Sequence, residues 1–294
     1  MILFYRVSFQ AALAGIVSAA DDGLWCPDKK EHEPVTAINT SILDQQAISG
    51  RYLFPQPRRV NDPLMVQVAG ADLACYRRMI DPARFTLVHF HGNGEAVADY
   101  IPWMANELAA LGLNSLFVEY REYGDSTGKA QLVAMLSDGE AVIAAAEIRP
   151  ENVIAFGRSI GSLYAIELVH RLPAIAGLIL ESGIADPSER FLKYADLSST
   201  SMTESEVIDE VKRRFNHQRK LSGYHNPLLV MHAEHDRLVE ISHAERNFQW
   251  SASLQKQFLR LPVGDHNTIM EWNRSEYFQG IRDFVKVVES GNPS

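Results

Sequence analysis

Residues 157–161 read Gly-Arg-Ser-Ile-Gly, and the segments on either side restrict the fold more than the five residues do. The preceding run 152–156 is short and apolar, as in a buried strand, and 162–171 is typical of a helix. A serine between a strand and a helix must lie on a sharp turn, where the neighbouring glycines remove Cβ atoms that would clash. The pattern predicts that this turn presents the Ser159 hydroxyl at the positive end of the helix, as a nucleophile.

Extended and helical segments alternate along the chain from about residue 49. Extended runs are predicted at 50–54, 64–69, 73–79, 85–90, 115–120, 152–156, 177–181, 228–232 and 258–261. Helical patterns are predicted at 95–111, 130–147, 160–171, 238–252 and 274–289. The first three extended runs resemble antiparallel hairpins, whereas the later ones are continuously apolar, as strands buried on both faces are. This alternation predicts an α/β fold with a mostly parallel sheet and helices on both faces.

One segment breaks the alternation. Residues 185–224 separate two predicted strands and contain a polar run and a helical pattern near 204–216. Because this length exceeds an ordinary connection, we expect a small cap over the strand ends. Its apolar residues are predicted to line a substrate pocket: Phe191, Leu192, Tyr194, Leu197 and Met202. The alternative is a surface insertion packed away from the site. The remaining boundaries are an N-terminal arm at 1–48 and a single domain at 49–294.

The first twenty residues are apolar and end in small residues, but their only early base is Arg6. They fit a weak export signal, an amphipathic helix or a misplaced start codon. Cys26 and Cys75 match no metal-binding spacing and are interpreted as free thiols of a reducing compartment. We therefore expect a cytoplasmic protein, with export left open.

Charge and hydropathy narrow the partners. The formal net charge is −9, whereas nucleic-acid-binding proteins usually present a basic face, so no nucleic-acid partner is expected. No apolar run is long enough to cross a membrane as a helix, so no integral span is expected. The predicted partner is a small-molecule acyl substrate, and the oligomeric state is left open.

Polar residues with catalytic chemistry follow three of the predicted strands. Ser159 is followed along the chain by Asp236 and then by His266, each just past a strand. This order is expected of a Ser-Asp-His triad, in which the imidazole takes the serine proton and the carboxylate orients the imidazole. Glu234 and Asp265 are alternative acids. Asp236 could instead cap the next helix.

A developing oxyanion needs two hydrogen-bond donors. The N–H of Ile160, the residue after the nucleophile, is one candidate. The loop His91-Gly-Asn-Gly94 follows an earlier strand and is the second source, with the N–H of Asn93 as the predicted donor. The alternative is a glycine-rich turn without a catalytic role.

Two other motifs carry little weight. The segment 124–129 resembles a phosphate-binding loop, but the spacing between its glycines is one residue too short and no Ser or Thr follows Lys129. The histidines between 225 and 243 lack a recognised metal-binding spacing. No metal site and no cofactor are predicted.

The motifs together resemble the α/β-hydrolase superfamily, and within it the abhydrolase-domain or Bem46-like serine hydrolases. The resemblance extends from about residue 50 to 289. It depends on the glycine-rich loop after His91, the Tyr120–Ser126 segment, the serine turn, and the segments around Asp236 and His266. It implies an eight-stranded sheet and cofactor-free acyl transfer. Glu122 stands where this family commonly has glycine, so a charge near the pocket mouth is possible.

The predicted activity is hydrolysis of carboxylic esters or thioesters through an acyl-enzyme. Two alternatives stay open: an amidase or peptidase of the same fold, and a non-catalytic binding protein.

Overall fold

A computed structural model describes residues 41–291 of the 294-residue chain. The predictions made for residues 1–20, for most of the N-terminal arm and for Cys26 lie outside the described residues. Cys75 is a free, buried thiol, and burial raises its pKa to about 12. Within the described residues, no helix is long and apolar enough to cross a membrane.

The described domain is built around one eight-stranded sheet in the order β1-β2-β4-β3-β5-β6-β7-β8. The strands are β1 Leu64–Val68, β2 Ala71–Arg78, β3 Thr86–Phe90, β4 Asn114–Val118, β5 Val153–Arg158, β6 Gly177–Glu181, β7 Leu228–Ala233 and β8 Lys256–Leu261. Strand β2 pairs antiparallel with β1 and β4, and all other pairs are parallel. The predicted fold class is confirmed.

Helices cover both faces of the sheet. They are α1 Ser49–Tyr52, α2 Val97–Tyr100, α3 Met104–Ala110, α4 Asp138–Ala145, α5 Gly161–Arg171, α6 Ser188–Tyr194, α7 Glu204–Arg214, α8 His217–Ser222, α9 Ile241–Trp250, α10 Ile269–Trp272 and α11 Arg274–Gly291. The helix predicted at 95–111 is divided into α2 and α3. Pro102 lies between them, and a proline inside a helix removes a backbone hydrogen bond.

The central strands are buried on both faces, which explains their continuous apolar sequence. In β3, Leu87 packs into one core cluster while Val88 and Phe90 pack into the other. Strand β5 alternates in the same way, with Ile154 on one side and Ala155 on the other. Successive strand side chains point to opposite faces, so a doubly covered strand must be apolar at every position.

The extended run predicted at 50–54 is wrong, because Ser49–Tyr52 forms the short helix α1. Ile48 and Tyr52 are both buried, and side chains four residues apart lie on the same side of a helix. The helix is closed by backbone hydrogen bonds from the Tyr52 N–H to the Ile48 carbonyl and from the Leu53 N–H to the Ser49 carbonyl, both at 2.9 Å.

The chain joins the domain earlier than the predicted boundary at residue 49. Leu43 and Ile48 are completely buried in the core. The Ser41 hydroxyl donates to Glu210 of α7 at 2.6 Å, and the Asp44 carboxylate accepts from the backbone N–H of Val133 at 2.7 Å. Residues 41–48 are therefore packed into the same domain as the sheet rather than forming a surface arm.

The segment 185–224 forms three helices, α6, α7 and α8, between β6 and β7. Helix α7 begins after Thr203, whose side chain accepts from the N–H of Glu206 while the Glu206 carboxylate accepts from the N–H of Thr203. This reciprocal capping satisfies N–H groups that would otherwise lack a partner. Val207 and Val211 of α7 are buried in the core, so the segment is packed onto the domain.

Candidate active site

Ser159 lies on the turn between β5 and α5 with a backbone φ of +52°. Such a positive φ is uncommon for a residue with a side chain and marks a strained turn. The neighbouring glycines are required sterically. A Cβ at Gly157 would lie 2.6 Å from the Ser162 Cα, and one at Gly161 would lie 2.1 Å from the Phe90 carbonyl oxygen. The Ser159 N–H donates to the carbonyl of Glu181 in the adjacent β6, which attaches the turn to the sheet.

Ser159, His266 and Asp236 form a continuous hydrogen-bonded chain. The His266 Nε2 lies 2.9 Å from the Ser159 Oγ, and its Nδ1 lies 2.7 Å from the Asp236 Oδ2. Ser159 is 8% exposed and the other two are 5% exposed, so solvent reaches the serine only narrowly. Their positions after β5, β7 and β8 bring the three side chains to the carboxyl edge of the sheet. The three residues predicted as a triad are thus brought together.

The two oxygens of Asp236 have different partners. Oδ2 faces His266, while Oδ1 accepts from the backbone N–H groups of Leu238 at 2.9 Å and Val239 at 2.8 Å. Burial raises the pKa of Asp236, but the hydrogen bond to His266 and the charge of that ring lower it by more. The net pKa of Asp236 is therefore below its usual value. Asp236 is therefore held as a carboxylate. Helix α9 begins only at Ile241, so Asp236 does not cap it.

The alternative acids lie elsewhere. Glu234 is exposed, and no hydrogen bond joins its side chain to another described residue. The Asp265 carboxylate accepts hydrogen bonds from Asn267 and Thr268 in its own turn. Neither carboxylate contacts the His266 ring among the described interactions.

The backbone N–H groups of Asn93 and Ile160 donate to no acceptor among the described residues. The Asn93 side chain is held firmly: its Nδ2 donates to the carbonyl of Tyr52, and its Oδ1 accepts from the Phe54 N–H at 3.0 Å and the Tyr123 hydroxyl at 3.1 Å. These contacts fix the loop that carries the Asn93 N–H. Sequence patterns did not indicate this support, because it comes from residues far away in the chain.

Arg158, beside the serine, anchors the loop of His266. Its Nη1 donates to the His266 carbonyl at 3.0 Å and to Glu181 at 2.6 Å, and its Nε donates to Glu95 at 2.9 Å. Tyr277 donates to the other Glu181 oxygen at 2.6 Å. Burial raises the pKa of Glu95, but the Arg158 charge outweighs it and lowers this pKa to about 2. Arg158 stands inside the pentapeptide that identified Ser159, yet its role is visible only in three dimensions.

A second buried pair lies next to the Asn93 loop. The His91 Nε2 is 2.8 Å from Glu119, and both side chains are inaccessible to solvent. Burial lowers the pKa of His91, but the carboxylate of Glu119 raises it more, so the net pKa is above its usual value. The same carboxylate accepts from the N–H of Val97 at the start of α2. The pair connects the ends of β3 and β4 to α2. The described residues contain no group of three or more His, Cys, Asp or Glu arranged to hold a metal.

The cleft beside Ser159 and His266 has a volume of about 120 Å³. The cap contributes Arg190 and Tyr194 to its wall, and the loop after β7 contributes Leu238. Of the five cap residues predicted to line it, only Tyr194 does; Phe191, Leu192, Leu197 and Met202 do not. Residues 190 and 194 share one side of α6 because they are four apart, and the same helix directs 191 into the core.

Phe191 is completely buried and packs edge-on against Tyr52, with ring centroids 4.9 Å apart. Leu192 is partly buried against the same core. Glu122 lies beside a different cavity, where it pairs with Lys129 at 2.9 Å, so it does not place a charge at the cleft.

The chain is similar in sequence and in fold to several known proteins. Residues 81–222 match the sequence profile of the family described as serine aminopeptidase, S33. The human alpha/beta hydrolase domain-containing protein 17B is 28% identical over 221 residues, covering 74% of this chain and 72% of the relative. The uncharacterized protein YfhR of Escherichia coli is 24% identical over 213 residues, covering 70% and 71%. The esterase Pf2001 of Pyrococcus furiosus superimposes with a TM-score of 0.61 at 18% identity, covering 79% of this chain and 98% of that one. The chain has the α/β-hydrolase fold and is similar in sequence to proteins of that superfamily.

The matched profile covers only part of the candidate site. Residues 81–222 include Asn93 and Ser159 but end before Asp236 and His266. The low identity to the Pyrococcus structure establishes the fold alone. The candidate roles of Asp236 and His266 are therefore inferred from the distances between their side chains and Ser159, not from the matched profile.

Proposed function

We propose that this α/β hydrolase is a serine hydrolase that cleaves carboxylic esters or thioesters through an acyl-enzyme. The observation that carries the proposal is the hydrogen-bonded chain from Ser159 through His266 to Asp236, with distances of 2.9 and 2.7 Å. The lowered pKa of Asp236 supports it, because an ionised carboxylate stabilises the imidazolium that forms when His266 takes a proton.

In the first half-reaction, the Ser159 Oγ attacks the acyl carbonyl while the His266 Nε2 accepts the hydroxyl proton. The carbonyl oxygen becomes an oxyanion, for which the N–H groups of Ile160 and Asn93 are the proposed donors. Both belong to loops at the carboxyl edge of the sheet, and both have no described acceptor. His266 then gives its proton to the leaving alcohol or thiol, and the acyl group stays on Ser159.

In the second half-reaction, His266 removes a proton from water, which attacks the acyl-enzyme and releases the carboxylic acid. Asp236 holds Nδ1 of the imidazole protonated throughout, so that Nε2 is free to accept. Arg158 supports the same geometry indirectly, since it fixes the backbone carbonyl of His266.

Labelling with a fluorophosphonate probe tests the nucleophile. We expect the wild-type protein to be labelled and Ser159→Ala to be unlabelled, with ester turnover reduced by roughly 10⁴-fold to 10⁶-fold. Ser222→Ala is a matched control, because Ser222 is exposed and lies outside the cleft. Turnover above a tenth of wild type in Ser159→Ala would disprove the assignment. A non-catalytic binding protein, the other class considered, would neither label nor turn over.

An amidase or peptidase activity is the second candidate, because the matched family is described as serine aminopeptidase. Esters and thioesters remain the first candidate, as expected from the sequence motifs. A parallel screen of p-nitrophenyl esters, acyl thioesters and aminoacyl p-nitroanilides distinguishes the two. Faster Ser159-dependent cleavage of the anilides than of the esters would reverse the preference.

A further inference from the structure

Among the described residues that line the cleft, Arg190 of the cap is the one cation without a carboxylate partner. Among the described residues, no Asp or Glu lies within salt-bridge distance of its guanidinium, although Arg190 lines the same cleft as Ser159 and His266. A charged guanidinium beside a reaction centre is unusual without a partner, because buried or half-buried charges are normally paired.

Neutral oxygen atoms hold the Arg190 side chain in place. Its Nε donates to the Tyr52 hydroxyl at 3.3 Å, and its Nη1 donates to the Leu238 carbonyl. The Nη2 group donates to no described acceptor. The guanidinium is thus oriented by two walls of the cleft while donors remain for a further ligand. A planar guanidinium held in this way is suited to bind a carboxylate through two parallel hydrogen bonds.

The other ionisable groups near the cleft are either paired or neutral. Glu95 lines the cleft too, but its oxygens are bonded to Arg158, Tyr100 and the N–H of Gly92. Arg158 is also paired with Glu181, so this group of two carboxylates and one guanidinium has a net negative charge and disfavours an anion on its side of the cleft.

His243 also lies near Arg190. Burial and the charges of Arg246 and Arg190 lower the pKa of His243 to about 4, so its ring is neutral near pH 7. An anion is therefore favoured at Arg190, between Tyr52 and Leu238.

We propose that Arg190 is a specificity-determining residue that binds a carboxylate or similar anionic group carried by the substrate, on either its acyl or its leaving group. The inference depends on the proposed function, since it concerns the substrate of the same site. It predicts esters that bear a second, ionised group within reach of the reacting carbonyl.

Two matched ester pairs test the proposal, and in each pair a carboxylate is replaced by the isosteric carboxamide. On the acyl side the pair is mono-p-nitrophenyl adipate and its adipamate analogue. On the leaving-group side it is 4-carboxyphenyl butyrate and 4-carbamoylphenyl butyrate. The readout is the ratio of kcat/KM for the charged ester to that for the neutral ester, after subtraction of the rate with Ser159→Ala. This ratio cancels effects that are common to both members.

We expect the wild-type ratio to exceed one by roughly tenfold to a hundredfold in at least one pair, the range expected for charge-assisted hydrogen bonds. Arg190→Gln should bring that ratio close to one, and Arg190→Lys should retain part of it. Lys212→Gln is the matched control, because it removes a cation of the same cap from a side chain that is 71% exposed. It should leave the ratio unchanged.

A wild-type ratio near one in both pairs, or a ratio that Arg190→Gln does not alter, would overturn the inference while Ser159-dependent hydrolysis still supported the proposed function. An equal loss on both members of a pair in Arg190→Gln would also overturn it, since that result assigns Arg190 a structural role. Absence of Ser159-dependent hydrolysis for every ester and of fluorophosphonate labelling would overturn the proposed function and this inference together.

Discussion

Replacing Asp236 by asparagine should remove activity by reversing the tautomer of His266. The two backbone N–H groups of Leu238 and Val239 both donate to Oδ1 of Asp236. In Asp236→Asn, the amide oxygen must take this position, because the amide NH₂ there would face two donors. The NH₂ group then points at the His266 Nδ1, 2.7 Å away in the present geometry. The ring must accept at Nδ1 and carry its proton on Nε2, where it can no longer accept the Ser159 proton.

The size of the effect follows from the cost of the opposite amide orientation. Rotating the amide would leave two buried N–H groups without acceptors, at about 1–3 kcal/mol each, or about 2–6 kcal/mol in all. The competent tautomer is then disfavoured by roughly 30-fold to 2 × 10⁴-fold. Loss of the carboxylate charge, which stabilises the imidazolium, adds to this. We therefore expect kcat to fall by roughly 10⁴-fold.

The assay is steady-state hydrolysis of the best p-nitrophenyl ester, with circular dichroism and thermal unfolding to show that the variant is folded. Glu234→Gln is the matched control, since Glu234 is exposed and two residues away. It should leave kcat nearly unchanged. A fall of less than tenfold in Asp236→Asn, or a larger fall in Glu234→Gln, would refute the assignment of the acid.

Three further predictions concern stability. Gly161→Ala should lower the free energy of unfolding by about 2–4 kcal/mol in urea titrations, because the new Cβ would lie 2.1 Å from a carbonyl oxygen of β3. Gly223→Ala is the control, since its Cβ would meet no atom closer than 3.6 Å, and it should change this free energy by less than about 0.5 kcal/mol. The Glu95–Arg158 pair should stabilise the protein above pH 4.5, the usual pKa of a glutamate, and this contribution should be lost as the pH falls towards about 2, the pKa of Glu95 in the folded protein. The difference in unfolding free energy between wild type and Glu95→Gln should therefore shrink between pH 4.5 and 2. A constant difference would contradict this prediction. Phe191→Ala should cost about 3–5 kcal/mol in unfolding free energy because this ring is fully buried, and a loss below 1 kcal/mol would place it outside the core.

The strands and the proposed triad were predictable from sequence because both depend on local order. Continuous apolar runs mark doubly buried strands, and Ser159, Asp236 and His266 each come just after such a run. In a parallel sheet those positions converge on one edge, so chain order alone indicated their meeting. The helix boundaries were less predictable, since the effect of Pro102 on a helical pattern depends on the packing around it.

The wall of the cleft was not predictable in the same way. Helix α6 has only seven residues, and its sequence mixes charged and aromatic side chains. Nothing local determines whether Phe191 or Arg190 faces the cleft; the packing of Phe191 against Tyr52 and Phe215 does. Tyr52 itself was assigned to an extended run, so its contacts with Asn93 and Arg190 were missed.

The segment 41–54 has a practical consequence for work on isolated domains. Tyr52 reaches the Asn93 side chain through its carbonyl and Arg190 through its hydroxyl, while Ser41 is bonded to Glu210 of the cap. A recombinant fragment begun at residue 49, where motif recognition places the domain start, would keep every proposed catalytic side chain. It would also expose the apolar surface that Leu43 and Ile48 cover, and it would remove the hydrogen bond between Ser41 and Glu210 of the cap. Such a fragment should aggregate or lose activity with its triad intact, so fragments for expression and inhibitor screening should begin at or before residue 41.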